Sequence, residues 1–215
     1  MTITILDHTF HLLPERALHW LDADTLIVTD LHLGKTGHFR KSGIAAPPQI
    51  NQTNIYRLDS LVNRLKPNRL LILGDLFHSD INREWFQFEE WRGMYKQLDI
   101  TLVSGNHDSL HSSFYNAAQL DVHDELFEEN FHFIHNRPKN DPIIQKFIFS
   151  GHIHPGIKLK GKGRQSLRLP CFYQKKHQFI VPAFGEFTGL YLLPESDAEH
   201  IYPIADNEVF QLNHV

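Results

Sequence analysis

Apolar positions along the chain follow two rhythms. Short continuous runs, "TLIVTD" (25–30), "RLLILGD" (69–75), "ITLVSGNHD" (100–108) and "FIFSGHIH" (147–154), read as buried strands that end in polar or glycine-containing sequence. Between the first three lie helical patterns. "INQTNIYRLDSLVNRLKP" spaces Ile55, Leu58, Leu61, Val62 and Leu65 by three and four before Pro67, and "INREWFQFEEWRGMYKQL" does the same with Trp85, Phe88, Trp91 and Tyr95. This alternation predicts a mostly parallel sheet covered by helices. The N-terminal "TITILDHTFHLL" adds a hairpin. From Gly151 onward the pattern changes to short strands, "QFIVPAF", "GLYLL" and "HIYPI", with Pro170 and Pro182 expected at turns and no long helix. Neither repeat nor linker divides the chain, so residues 1–215 are expected to form one domain.

In an open α/β sheet, functional residues collect just beyond the carboxyl ends of the strands. Those ends read Asp30-Leu31-His32, Gly74-Asp75, Gly105-Asn106-His107-Asp108 and Gly151-His152-Ile153-His154. Any one of these is a common turn or helix cap. The ordered set, each directly after a buried strand, delivers carboxylate, imidazole and amide groups to one rim and points to a metal site. Two divalent ions about 3.5–4 Å apart need a bridging ligand, which a carboxylate provides, while imidazoles and an amide oxygen complete the shells. Nitrogen and oxygen ligation without cysteine suits manganese, iron or zinc, with manganese placed first. On an extended segment, side chains at i and i+2 share a side, so both His152 and His154 can face the metals.

Composition narrows the setting. The 215 residues are 41% hydrophobic and 21% charged, enough for a sizeable core. No apolar segment approaches the roughly 18–20 residues that cross a bilayer, and the N-terminus lacks a basic start with an apolar core. A cytoplasmic protein without a membrane partner is expected, and the single Cys171 fits a reducing compartment. A net charge of −4 excludes coating nucleic acid by bulk electrostatics. A local patch is another matter. Residues 158–176, "KLKGKGRQSLRLPCFYQKK", hold seven Lys or Arg and no acid, and "GKTGHFRKSG" adds Lys35, Arg40 and Lys41 after the first motif. A solvated strand face gives the same composition, but proximity to the strand ends from two directions favours a phosphate-backbone track, with Lys160, Lys162 and Arg164 as candidate contacts.

The order DxH, GD, GNHD, GHxH, spanning about Thr25 to Pro155, resembles the signature of the calcineurin-like metallophosphoesterases. That resemblance implies a two-sheet α/β sandwich with a binuclear metal site at the strand ends. It implies that Asp30, His32 and His154 hold one ion, that Asp75 bridges, and that Asn106 and His152 help hold the second. His107 would stabilise or protonate the leaving group, with Asp108 orienting its ring. The family also uses a histidine between GNHD and GHxH. Of His111, His123, His132 and His135, the last sits at the end of a strand-like run, Phe131 to Ile134, and is taken as the second-site ligand.

"TDLHLGK", "LGDLFHS" and "RLPCFYQKKHQFIVPAFGEFTG" further resemble the ligase-associated DNA-damage-response endonucleases. In that group His78 would act near the phosphate; a histidine bonded to a carboxylate behind the ligands is the other reading. The expected activity is hydrolysis of a phosphodiester, as an endonuclease on DNA in repair, with a DNA ligase and a helicase-like protein as partners by resemblance. The alternative is a hydrolase of a small nucleotide or lipid-linked phosphodiester or pyrophosphate. A non-catalytic scaffold of the same fold is disfavoured by retention of the full ligand set and of His107.

Overall fold

The computed structural model describes residues 1–35, 49–77, 81, 83–137, 146–163, 165–186 and 188–212. One sheet contains β1 (Thr2–Ile5), β2 (His8–Leu13), β3 (Ala17–Trp20), β4 (Thr25–Val28), β5 (Arg69–Leu73), β6 (Asp99–Val103) and β7 (Asp121–His123), in that spatial order. Strands β1 to β4 pair antiparallel, and β4 to β7 pair parallel. The crossovers carry α1 (Gln49–Leu65), α2 (Arg83–Met94) and the short α3 (Ser112–Ala117).

The continuous apolar runs follow from burial on both faces. Leu26, Val28, Leu70 and Ile72 face one core with Leu58, Leu61 and Val62 of α1 and Trp85, Phe88 and Trp91 of α2. Their neighbours Ile27, Leu71 and Leu73 face the opposite way, onto Phe131, Phe133, Phe149 and Phe179 of the second sheet.

The second sheet runs β14 (Tyr191–Leu192), β11 (Pro155–Lys160), β12 (Ser166–Lys175), β13 (Gln178–Ile180), β10 (Phe147–Ser150), β9 (Phe131–Ile134), β8 (Leu126–Glu128). Off this path, β15 (His200–Ala205) pairs with β12, and β16 (Glu208–Val209) with β15. β10 is parallel to both β9 and β13. The result is an α/β sandwich of two mixed sheets.

Pro170 departs from the expected turn. It lies inside β12, opposite Gly156, where β12 leaves the β11 ladder and its next residue, Cys171, begins pairing with β15. A residue without an N–H is tolerated at such a change of partner. No helix among the described residues is long and apolar enough to cross a membrane.

Candidate metal centre

Where β4 and β5 end, their chains stay zipped together through the ligand turns. Asp30 donates its N–H to the Gly74 carbonyl (3.0 Å), His32 to Asp75 (2.9 Å) and Leu33 to Leu76 (3.0 Å). The turns are made by left-handed backbone at Asp30 (φ 53°), His32 (φ 47°) and Asp75 (φ 51°). Asp and His tolerate this region better than most residues, and such conformations cluster at functional sites.

The loop after β10 repeats the device at His152 (φ 66°) and His154 (φ 52°). The segment is therefore not extended, yet both rings face the ligand groups as expected, through turns rather than alternation and into different groups. Asp30, His32 and His154 form one group, and Asp75, His135 and His152 another, with the ligating atoms of each group within 4.8 Å of one another. Both groups draw on both sheets. Gly151 permits the approach, since a Cβ there would stand 1.8 Å from Thr29 Oγ1 and 2.8 Å from Asp30 Oδ2.

Hydrogen bonds fix the two imidazoles that matter most for orientation. His135 Nδ1 lies 2.7 Å from the Leu73 carbonyl, and His154 Nδ1 lies 2.7 Å from that of Thr188. A carbonyl only accepts, so each Nδ1 carries the proton and each Nε2 is left with a lone pair. Those lone pairs face electron-rich atoms. His154 Nε2 is 3.1 Å from Asp30 Oδ1 and 3.4 Å from His32 Nε2; His135 Nε2 is 3.4 Å from Asp75 Oδ2 and 3.3 Å from His152 Nδ1. Such arrangements are attractive only with a proton or a cation between the atoms. Asp30 Oδ1 is buried without a hydrogen-bond partner, whereas Oδ2 accepts from the His152 N–H (3.0 Å) and lies 2.7 Å from the Thr29 hydroxyl. A buried carboxylate oxygen beside two imidazole nitrogens fits a divalent cation.

Protonation tendencies agree with this fit. Burial, reinforced by the charge of Lys35, pushes His32 down to about 3, so its ring is neutral and able to ligate. Burial also lowers His152, with His135 adding to the effect. For Asp75, burial alone would raise the carboxyl, but His135, the His107 N–H and His32 outweigh it and hold it well below the usual range. His135 runs the other way: burial alone would lower it, but its contact with Asp75 and the charge of Asp30 raise it, so without a cation a proton takes the place between Nε2 and the carboxylate.

Asp75 lies between the groups. Its Oδ2 is 3.7 Å from His32 Nε2 and 3.4 Å from His135 Nε2, while Oδ1 accepts the His107 N–H at 2.9 Å. Asn106 precedes His107 on the same turn and is exposed. The His107 ring meets His32 edge-on, with centroids 5.4 Å apart.

Both oxygens of Asp108 brace the loop backbone, Oδ2 accepting from the Gly105 N–H (2.9 Å) and Oδ1 from the Phe77 N–H (3.1 Å). The other candidate histidines are engaged away from the site: His111 caps α3, His123 pairs with Asp121 and His132 with Glu125. Lys160 is exposed at the end of β11 and Lys162 in the turn beyond it. His78, Arg40, Lys41 and Arg164 lie outside the described residues.

Two contributors were not singled out from the sequence. Thr29 stands before the DxH motif, its hydroxyl also 2.7 Å from the Leu73 carbonyl, and Thr188 presents the carbonyl that orients His154. The tail motif held the only signal for Thr188.

A two-sheet α/β sandwich with paired carboxylate–histidine groups at the strand ends defines a metal-dependent phosphoesterase. The sequence profile of the calcineurin-like phosphoesterases matches residues 24–161, and the chain belongs to that family. Among solved structures, Pseudomonas putida nuclease MPE is similar with a TM-score of 0.83, 30% identity and 99% of each chain covered. That match is consistent with the ligase-associated endonucleases. Yfce, a phosphoesterase from E. coli, aligns at TM-score 0.47 and 13% identity over 87% of this chain and 97% of its own. No match is found among curated protein sequences.

Proposed function

We propose that the protein is a two-cation phosphodiesterase that cuts DNA, acting as an endonuclease in repair. The observation that carries the reading is the pair of three-ligand groups with Asp75 between them. Asp30, His32 and His154 would hold one cation, His135, His152 and Asn106 the other, and Asp75 would bridge. When bound, such a pair, with manganese favoured, lowers the pKa of a water to about 7 and draws charge off phosphoryl oxygens.

The remaining work falls to the chain. The Leu73 and Thr188 carbonyls keep His135 and His154 in the ligating tautomer. His107, held beside the site by its N–H bond to Asp75, offsets or protonates the departing oxygen, and His78 assists near the phosphate. Lys35, whose charge is felt by Asp30 and Asp75, adds attraction for an anionic substrate.

DNA is favoured as the substrate by the nuclease of similar structure and by the hairpin of β11 and β12. β11 begins immediately after His154 and carries Lys158 and Lys160 exposed, with Lys162 and Arg164 following as backbone contacts. A DNA ligase and a helicase-like protein are the proposed partners, in a cytoplasmic setting.

The test is hydrolysis of circular single-stranded DNA with manganese, compared with a small chromogenic diester. Linearised circles establish internal cleavage. Turnover of the small diester with circles left intact moves the reading to a small nucleotide or lipid-linked substrate.

A further inference from the structure

The tail motif lies beyond the residues matched by the family profile, yet it touches the first ligand group at two points and the adjoining Thr29 at a third. After β13 the chain donates Phe184 N–H to the Thr29 carbonyl (2.8 Å) and Gly185 N–H to the Asp30 carbonyl (3.0 Å). It then supplies the Thr188 carbonyl to His154 Nδ1. The Thr188 hydroxyl bonds back to the Gly185 carbonyl at 2.9 Å, closing the segment on itself. The described residues of this segment join neither ligand group; the segment is a brace for Asp30 on one side and His154 on the other.

What holds the brace is a side chain from α1. The Arg57 guanidinium donates Nη2 to the Phe184 carbonyl and Nη1 to Glu186 Oε1 (3.2 Å), and stacks 4.2 Å from the centroid of the Phe184 ring. Its side chain is 18% exposed, so the bond to Phe184 is partly sheltered from water, while the pair with Glu186 lies at the surface. Arg16 adds a weaker donor to the Gly185 carbonyl at 3.4 Å. Burial lowers Arg57 only to about 10, leaving it cationic at neutral pH. A planar fork that bonds, pairs and stacks at once has no equivalent in lysine.

We infer that Arg57 is a positioning residue for the first cation: by clamping the Phe184–Glu186 backbone it sets the Asp30 turn and the His154 tautomer. The inference rests on the assignment of Asp30, His32 and His154 to one cation. A loosened clamp leaves the Thr188 carbonyl free to move, and His154 then exchanges between tautomers of which only one presents Nε2. Changes to groups that orient metal-bound histidines typically cost 10- to 100-fold in affinity.

The test is calorimetric titration of the metal-free full chain with manganese, for wild type, Arg57→Ala, Arg57→Lys and Gly185→Ala. Gly185→Ala attacks the brace from the other side, since a Cβ there would stand 2.7 Å from the Leu31 carbonyl and 2.9 Å from that of Asp30. Arg69→Ala is the control for structure alone: it removes a comparable, partly buried pair with Glu128 (Nη2 to Oε2, 2.6 Å) at the start of β5, away from the ligands. The expected result is two binding steps in wild type, one of them weakened about 10- to 100-fold in Arg57→Ala and Gly185→Ala and less in Arg57→Lys. Arg69→Ala should lower the melting temperature with both steps intact. Should Arg57→Ala fail to fold, Arg57→Lys and Gly185→Ala carry the comparison. Two unweakened steps in the folded Arg57 and Gly185 variants, or equal weakening in Arg69→Ala, overturn the inference. Fewer than two steps in wild type instead sinks the two-cation reading beneath it.

Discussion

Asp75 and Gly105 share one space: a Cβ at 105 would stand 2.2 Å from Asp75 Oδ1 and 2.3 Å from its backbone nitrogen. The glycine of one motif thus gives room to the carboxylate of another. Gly105→Ala should displace Asp75 and weaken cation binding about tenfold or more. Calorimetric titration with manganese checks this, and an unchanged isotherm would show that Asp75 can shift without consequence.

Asp75→Asn should lose cation affinity and activity together. Asp75 is the carboxylate set between both groups, its Oδ2 facing both while Oδ1 accepts the His107 N–H, and an amide has neither the charge nor the second acceptor oxygen to do both. Two cations per chain by elemental analysis, with activity unaltered, would falsify the bridging role.

His107→Ala should keep its cations and turn over about 10²- to 10⁴-fold more slowly. The defect should shrink for substrates with good leaving groups, which need less help in departing. Purification of this variant free of metal would make His107 a ligand and reverse the division of roles on its turn.

Neutralising Lys160, Lys162 and Arg164 together should weaken DNA binding and flatten its salt dependence. Each lost phosphate contact reduces the log–log slope by about 0.7 on single strands or 0.9 on duplex. Hydrolysis of a small diester should hardly change. DNA affinity that stays the same from low to moderate salt removes the hairpin from the binding surface.

Much of the site was legible because the chemistry sits where simple patterns end. Asp30, Asp75 and His152 each follow closely on a strand whose apolar run needs no tertiary knowledge to see, and His135 stands one residue past the alternation of Phe131 and Phe133. The division of His152 and His154 was legible only by resemblance. It depends on two left-handed residues, and no local rule forecasts positive φ at histidine from "GHIH". The role of Asp108 was hidden because its partner, the Phe77 N–H, is set by how two loops meet. Pro170 misled for a related reason: its tolerance inside β12 comes from a change of neighbours that only the assembled sheet reveals. The tail motif could be seen but not explained, since its work is done by backbone groups.

Each ligand group draws on both sheets, Asp30 and His32 against His154 in one, Asp75 against His135 and His152 in the other. A bound cation is therefore a rivet through the sandwich, and metal supply becomes part of the folding equilibrium. A ligand that binds only the native state at a hundred times its Kd adds about 2.7 kcal/mol of stability. Chelation should lower the unfolding temperature even where no substrate is present. The exchange runs both ways: loosening the Phe131, Phe133 and Phe149 packing between the sheets should raise the manganese concentration the protein needs to stay loaded.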